Sequence, residues 1–204
     1  MTLPAIILAG GKARRMGGGD KSLLDLDGRP ILAHVIDRLA SQANPIVLNA
    51  NGPKGRFDEF DLLVLEDSVP DWPGPLAGVL AGLDWAAQNG ANAIVTVAAD
   101  TPFFPRDLVD RLRSESDGIA PVLAASGALG ETANRHPTFG LWTTTLRDDL
   151  RHALADGVRK IVAWADRHNA RTARFDAPAD LDPFFNVNTP ADLEIARQRL
   201  ADAA

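Results

Sequence analysis

Residues 5–22 read AIILAGGKARRMGGGDKS. The first four have the length and aliphatic content of a buried β-strand. Paired glycines follow, and then four cations, Lys12, Arg14, Arg15 and Lys21, stand among further glycines. Glycines let backbone amides approach a ligand without a Cβ clash, and the cations favour an anion. A strand leading into such a loop predicts a nucleotide phosphate site at the carboxyl end of a sheet.

Other kinds of loop fit this stretch less well. A Walker A loop requires glycine directly before Lys-Ser, whereas Asp20 precedes Lys21 here. The glycines also lack the GxGxxG spacing of a dinucleotide site. A mobile surface loop with solvated cations stays an alternative. The position of the loop, directly after the first strand of an acidic chain, favours an anion site.

Composition excludes several classes of function. The 204 residues are 46% hydrophobic, carry a formal net charge of −6 and include no cysteine. This favours one α/β domain over 1–204, opposes general nucleic-acid binding, and excludes disulfides and thiolate chemistry. The four histidines have no zinc-site spacing. With no leader pattern and no apolar run of roughly 18 residues, we expect a cytoplasmic protein without a membrane partner.

Apolar runs alternate with amphipathic segments along the chain. The expected strands are 5–8, 46–48, 62–65, 93–97, 119–123, 139–142 and 171–175. Helical faces are expected around 32–39, 76–83, 108–112, 146–154 and 161–168, and Thr189-Pro190 starts a further helix. This alternation predicts an α/β fold, with a mainly parallel sheet and helices on both faces.

Two carboxylates follow predicted strands. Asp100 comes after the strand at 93–97, where the ends of parallel strands form a crevice for ligands. A lone carboxylate there suits Mg²⁺, which shares substrate phosphates instead of filling a protein cage. Asp67 presents the same pattern more weakly. An Asp that starts a turn before proline is the alternative for Asp100.

Three asparagines are candidates for contacts to a polar ring. Asn49 ends the second strand, although Asn near Gly52 is also typical of a turn. Asn186 and Asn188 lie on the same side of an extended segment. Capping of the helix that follows explains Asn188 almost as well.

Six motifs occur in an order that resembles the molybdenum cofactor guanylyltransferases. They are LAGGKARRMGGGDK (8–21), VLNANG (47–52), LEDSVPDWPGPLAGVLAGL (65–83), AADTPFF (98–104), RHPTFGLW (135–142) and FFNVNTPADL (184–193). The first motif is shared by many nucleotidyltransferases. The PGPLAG, HPT and NVNTP elements are together more specific. The resemblance covers residues 8–193, nearly the whole chain.

The resemblance implies a three-layer, Rossmann-like nucleotidyltransferase fold, with a nucleotide half at about 1–110 and an acceptor half at about 111–204. It implies transfer of GMP from GTP to molybdopterin, with release of pyrophosphate and with Mg²⁺ as cofactor. It also implies contact with molybdoenzymes and other proteins of cofactor biosynthesis. The implied GTP contacts are Leu8, Ala9, Gly10, Gly11, Arg15, Lys21, Asn49, Asp67 and Asp100. Asp100 is implied as the metal ligand, and His136, Arg159, Asn186 and Asn188 as molybdopterin contacts; Arg15, Lys21 and Asp100 are the implied catalytic residues.

One position departs from the pattern of related nucleotidyltransferases. A loop residue that is often Ser is Ala13 here, so any hydroxyl contact to phosphate must come from elsewhere. The alternatives to this function are a transferase that uses CTP or another phosphorylated acceptor, and a non-catalytic molybdopterin carrier. A P-loop phosphohydrolase is disfavoured by Asp20.

Overall fold

The computed structural model describes residues 2–10, 20–69, 74–177 and 181–202. Its strands are β1 (Ala5–Leu8), β2 (Asp25–Leu26), β3 (Arg29–Pro30), β4 (Ile46–Asn49), β5 (Leu63–Leu65), β6 (Ala93–Ala98), β7 (Val122–Gly127), β8 (Asn134–Thr143) and β9 (Arg171–Asp176). Its α-helices are α1 (Ile31–Ala40), α2 (Pro75–Gln88), α3 (Leu108–Ser114), α4 (Arg147–Ala155), α5 (Ile161–Arg167) and α6 (Pro190–Asp202). Short 3₁₀ helices occur at Lys21–Leu23, Lys54–Phe60 and Thr144–Leu146.

A seven-stranded sheet forms the middle layer, in the order β5-β4-β1-β6-β8-β7-β9. The pairs β1–β4, β1–β6, β4–β5 and β7–β9 are parallel, and only β8 runs against its neighbours. The predicted α/β fold with a mainly parallel sheet is therefore confirmed.

Helices cover both faces of the sheet because the strand side chains alternate in direction. Ile7 packs into a core with residues of α1 and α3, whereas Ile6 packs into a core with residues of α2, α4 and α5. The second core includes Trp142, whose indole N–H donates a hydrogen bond to Thr96 Oγ1 (2.9 Å), so its polar atom is satisfied inside the sheet. Each strand at the centre is thus buried on both sides, which is why it appears in the sequence as a continuous apolar run.

Helix α6 begins where the sequence predicts. Asp192 N donates to Thr189 Oγ1 (3.2 Å), and Asp192 Oδ2 accepts hydrogen bonds from the backbone of Thr189 (2.8 Å) and Asn188 (2.9 Å). This reciprocal cap satisfies amides that a helix start leaves without partners. It also fixes the backbone of Asn188, a predicted site residue.

The strand predicted at 119–123 is misplaced, because β7 starts only at Val122. Asp117 Oδ1 accepts hydrogen bonds from the backbone of Ile119 and Ala120, both at 2.9 Å, and so holds 117–120 in a turn. Ile119 is consequently 73% exposed instead of buried. The β2–β3 hairpin was not predicted, although its turn, Asp27-Gly28, has the sequence and the positive φ angles typical of a tight hairpin.

Candidate active site

The candidate site lies at the edge of the sheet where its parallel strands end. Ala9 and Gly10 follow β1, Asn49 is the last residue of β4, and Asp100 comes two residues after β6. Parallel pairing of β1 with β4 and with β6 brings these ends together. Asp67, two residues after β5, belongs to the same edge because β5 is parallel to β4. The sheet thus assembles residues that are far apart in the sequence.

A cleft of about 230 Å³ opens at this edge. Six of the predicted site residues line it: Leu8, Ala9, Gly10, Lys21, Asp100 and Asn186. The rest of the described lining consists of Asp20, Ser22, Pro75, Ala98, Ala99 and Thr138. Arg15 and Gly11, also predicted for this site, lie outside the described residues. The cleft therefore joins the end of the central strands to the helix of Lys21 and to the segment of Asn186.

Asp100 is anchored through both its backbone and its side chain. Its carbonyl accepts a hydrogen bond from Val187 N (2.9 Å), and its Oδ2 lies 3.9 Å from Lys21 Nζ. Burial raises the pKa of Asp100, and the Lys21 charge, acting in the opposite direction, offsets only part of that rise. A cation that enters the cleft would stabilise the charged form of this desolvated carboxylate.

The donor set fits Mg²⁺ that is shared with a substrate. Asp100 supplies a carboxylate at the cleft wall, and no group of three or more His, Cys, Asp or Glu residues is gathered for a metal anywhere in the described part of the chain. Mg²⁺ commonly binds through one or two carboxylates, waters and substrate phosphates. Asp100 is accordingly the residue that would hold it.

Lys21 is held towards Asp100 by a residue from the far end of the chain. Lys21 Nζ donates a hydrogen bond of 2.7 Å to Asn188 Oδ1. The Lys21 side chain is only 25% exposed, so its ammonium is partly desolvated as well as fixed in direction. A cation in this state interacts more strongly with a phosphate than a solvated one does.

Asn186 and Asn188 lie against nucleotide-half residues. Asn186 Oδ1 accepts a hydrogen bond of 2.5 Å from the hydroxyl of Thr101, the neighbour of Asp100. Asn188 accepts its bond from Lys21. The family resemblance implies that both asparagines contact the acceptor. The structure brings them against Thr101 and Lys21, within reach of the predicted phosphate site.

Asn49 and Asp67 form a hydrogen-bonded network with Asn51. Asp67 Oδ1 accepts from Asn49 Nδ2 (2.9 Å), and Asp67 Oδ2 accepts from Asn51 Nδ2 (2.7 Å). Asp67 N in turn donates to Asn51 Oδ1 (2.9 Å). Asn49 is only 2% exposed, and its Oδ1 would lie 2.2 Å from a Cβ placed on Gly78 of α2. The lack of a side chain at Gly78 therefore lets α2 approach this network.

His136 and Arg159 are not part of the described cleft lining. The His136 ring stacks on Phe184, with 4.3 Å between ring centroids, and its Nε2 lies 2.7 Å from Ser126 Oγ. Burial lowers the pKa of His136, opposed by the nearby Asp182 carboxylate. The Arg159 guanidinium donates to the carbonyls of Leu154 and Val158 at the end of α4. The structure thus brings neither residue to Asp100.

Comparison with known proteins identifies the family. The family model described as a MobA-like NTP transferase domain matches residues 5–172. The chain belongs to the MobA-like NTP transferase family. A protein of Bradyrhizobium sp. (strain ORS 278) named molybdenum cofactor guanylyltransferase is 50% identical, and the match covers 98% of this chain and 93% of that protein. A protein of the same name from Mesorhizobium japonicum is 46% identical over 97% of this chain and 96% of its own length.

Solved structures show the same fold. The crystal structure of molybdopterin-guanine dinucleotide biosynthesis protein A from Archaeoglobus fulgidus has a TM-score of 0.75 at 22% identity, covering 98% of this chain and all of that one. A nucleotidyl transferase from Methanothermobacter thermautotroptrophicus also has a TM-score of 0.75, at 19% identity, and covers 100% of this chain. The resemblance stated from the motifs is therefore confirmed, and the chain is a nucleotidyltransferase.

Sequence reasoning missed two hydroxyl residues of this NTP transferase site. Thr101 links Asp100 to Asn186, and Thr138 lines the cleft. Thr138 reaches the cleft through an irregularity in β8, where the register against β7 jumps from Leu123–Gly140 to Ala124–His136. Pro137 cannot donate a hydrogen bond to the neighbouring strand, which is a recognisable signal for such an irregularity.

Among the helices that the structure describes, none combines the length and the apolar character that a membrane span needs.

Proposed function

We propose that this nucleotidyltransferase transfers GMP from GTP to the terminal phosphate of molybdopterin, forming the guanine dinucleotide cofactor and pyrophosphate. The observation that carries the proposal is the arrangement of the Lys21 ammonium and the Asp100 carboxylate in one cleft, beside Gly10 after β1. The names of the relatives that match nearly the whole chain support the choice of substrates.

The reaction is an in-line displacement at phosphorus. An oxygen of the acceptor phosphate attacks the α-phosphorus of GTP, and the bond from that phosphorus to the bridging oxygen breaks, so that pyrophosphate leaves with the electron pair. A phosphate monoester is largely ionised at neutral pH and is already a nucleophile. No general base is required, which agrees with the position of His136 outside the described cleft lining.

The barrier to this reaction is mainly electrostatic, because two anions must meet and a third must leave. Lys21, held by Asn188, stabilises the charge that develops on the phosphates. Asp100 fits as a ligand of Mg²⁺, and this metal, when bound, neutralises phosphate charge and aligns the leaving group. Thr101 and Asn186 hold the wall of the cleft beside Asp100.

The network of Asn49, Asn51 and Asp67 is our candidate for the nucleoside side of the site. Its three side chains orient one another through mutual hydrogen bonds, so they lose little conformational entropy when a ligand binds. His136 and Arg159 stay candidates for contacts to the pterin. We further propose that the protein acts in the cytoplasm and delivers its product to molybdoenzymes, together with other cofactor-biosynthesis proteins.

The test is turnover of purified protein with molybdopterin, Mg²⁺ and each of the four nucleoside triphosphates in turn. We expect pyrophosphate release and dinucleotide formation with GTP, and much less with CTP, ATP or UTP. A preference for CTP, or turnover only with another phosphorylated acceptor such as a sugar phosphate, would overturn the substrate assignment. A carrier would bind molybdopterin without turnover and would tolerate Asp100→Asn.

A further inference from the structure

Outside the residues assigned so far, a partly buried ion pair meets the wall of the cleft. Arg56, in the 3₁₀ helix Lys54–Phe60, forms an ion pair with Asp20, in which Arg56 Nε lies against Asp20 Oδ2 without a hydrogen bond between them. The Arg56 side chain is 24% exposed and that of Asp20 is 20% exposed, so both charges are largely removed from water. Asp20 lines the cleft and directly precedes Lys21.

The guanidinium of Arg56 is fixed before any ligand arrives. It donates hydrogen bonds to the carbonyls of Asn51 (2.6 Å) and Pro53 (2.5 Å) and lies over the ring of Phe57, 4.5 Å from its centroid. A planar guanidinium held on several sides keeps its direction and stays charged at any physiological pH. Arg56 is therefore a rigid counter-charge and not a solvated surface cation.

Asp20 requires such a counter-charge. A bare carboxylate in the wall of a cleft that receives a triphosphate would repel it, and the repulsion is stronger where water is excluded. The backbone carbonyl of Asp20 also accepts the hydrogen bond from Leu23 N (3.1 Å) that starts the 3₁₀ helix of Lys21. A change in the position of Asp20 would thus displace Lys21.

Arg56 also connects the two sides of the nucleotide site. Its Nη2 binds the carbonyl of Asn51, whose side chain exchanges two hydrogen bonds with Asp67. One side of Arg56 therefore contacts Asp20, the residue directly before Lys21, and the other contacts Asn51 of the proposed nucleoside network.

We propose that Arg56 is a positioning residue of the nucleotide site, which neutralises Asp20 and fixes the start of the Lys21 helix. This role rests on the proposed function for the presence of a triphosphate, but not for the identity of the base or the acceptor. Arg56 itself does not belong to the described cleft lining, so it acts through Asp20.

The test is a charge-rescue experiment. Calorimetric titration with GTP and Mg²⁺, and separately with inorganic triphosphate, is carried out on wild type, Arg56→Ala, Asp20→Asn and the double variant. We expect Arg56→Ala to weaken both ligands about tenfold, the equivalent of about 1.4 kcal/mol. The double variant has no unpaired carboxylate at position 20, so we expect it to regain most of the lost affinity for both ligands. A purely structural role would not respond to the removal of the Asp20 charge.

Arg113→Ala is the matched control. Arg113 pairs with Asp110 on an exposed face of α3, and its substitution removes the same charge as Arg56→Ala does. Arg56→Gln replaces Arg56→Ala should the latter be too unstable at the titration temperature. Wild-type affinity in Arg56→Ala, or an unrescued double variant, would overturn the inference.

The triphosphate titration separates this inference from the proposed function. Weak GTP binding by wild type, with triphosphate binding that follows the rescue pattern, would contradict only the guanylyl assignment. Wild type that binds neither ligand would contradict both.

Discussion

Gly78→Ala is predicted to weaken GTP binding by displacing Asn49. A Cβ on Gly78 would lie 2.2 Å from Asn49 Oδ1 and 2.8 Å from Leu8 Cδ2, both far below van der Waals contact. Gly82→Ala, one turn further along α2, is the matched control. Its Cβ would lie 2.6 Å from Ile6 Cγ1 and 2.9 Å from Ile94 Cδ1, in the core and away from the cleft.

Both substitutions are expected to cost similar stability. Overpacking typically costs about 1–3 kcal/mol, and the higher helix propensity of alanine returns about 1 kcal/mol. The net destabilisation is thus about 0–2 kcal/mol. Since 1 kcal/mol corresponds to roughly 2–4 °C in a domain of this size, both melting temperatures should fall by about 8 °C at most.

GTP binding should distinguish the two variants. In Gly78→Ala, the carboxamide of Asn49 must turn away and lose its hydrogen bond to Asp67, which disturbs the proposed nucleoside network. The displaced Asn49 also loses its proposed contact to the nucleoside. A hydrogen bond is worth about 0.5–1.5 kcal/mol, so the dissociation constant should rise by up to about tenfold. The assay is calorimetric titration with GTP and Mg²⁺, well below both melting temperatures. Equal affinities in Gly78→Ala and Gly82→Ala would refute the assignment of Asn49 to the nucleotide.

Three further predictions concern the charged centre of the cleft. Lys21→Ala should lower turnover by about 100-fold or more with little change in melting temperature, because one contact to transition-state charge is lost; near-wild-type steady-state turnover would contradict its role. Asn188→Ala should lower turnover of GTP even at saturating acceptor, because Asn188 Oδ1 accepts a hydrogen bond from Lys21 Nζ. A change confined to the KM for the acceptor would instead assign Asn188 to the pterin. Asp100→Asn should abolish Mg²⁺-dependent turnover yet raise the melting temperature at neutral pH. Since folding raises the pKa of Asp100, its charged form destabilises the folded state above that pKa, and the gain should vanish as pH falls below the ordinary Asp value of about 3.9. Melting curves of both proteins from about pH 3 to pH 8 test this, and a pH-independent difference would contradict it.

The sequence predicts those parts of the fold that depend on local patterns. Buried parallel strands require continuous apolar runs, and amphipathic helices require a 3.6-residue period, so these patterns predict the alternation of elements and the sheet. The Thr189-Pro190 start signal in the same way predicts the cap of α6. The edge that carries Asp100 follows from this alternation, because parallel strands end on the same side.

What could not be predicted depends on contacts between distant residues. Lys21 and Asn188 are 167 positions apart, and no local pattern encodes their hydrogen bond. The reversed direction of β8 has the same origin, since an apolar strand carries no mark of the direction in which it pairs. Arg56 was missed because an arginine in a polar stretch is typical of a solvated surface, and only folding shows that it is enclosed.

The reversed direction of β8 has a consequence for how this family can change its specificity. Because β8 runs against β6 and β7, its first residues, from Asn134 to Thr138, lie at the same edge as the carboxyl ends of those strands. The connection between β7 and β8, residues 128–133, therefore emerges at this edge of the sheet, although it is separate from the nucleotide motifs. Insertions there would reshape the surroundings of the second substrate while β1, β4 and β6 stay intact. A single strand direction thus allows the acceptor to diverge in evolution while the triphosphate chemistry is retained.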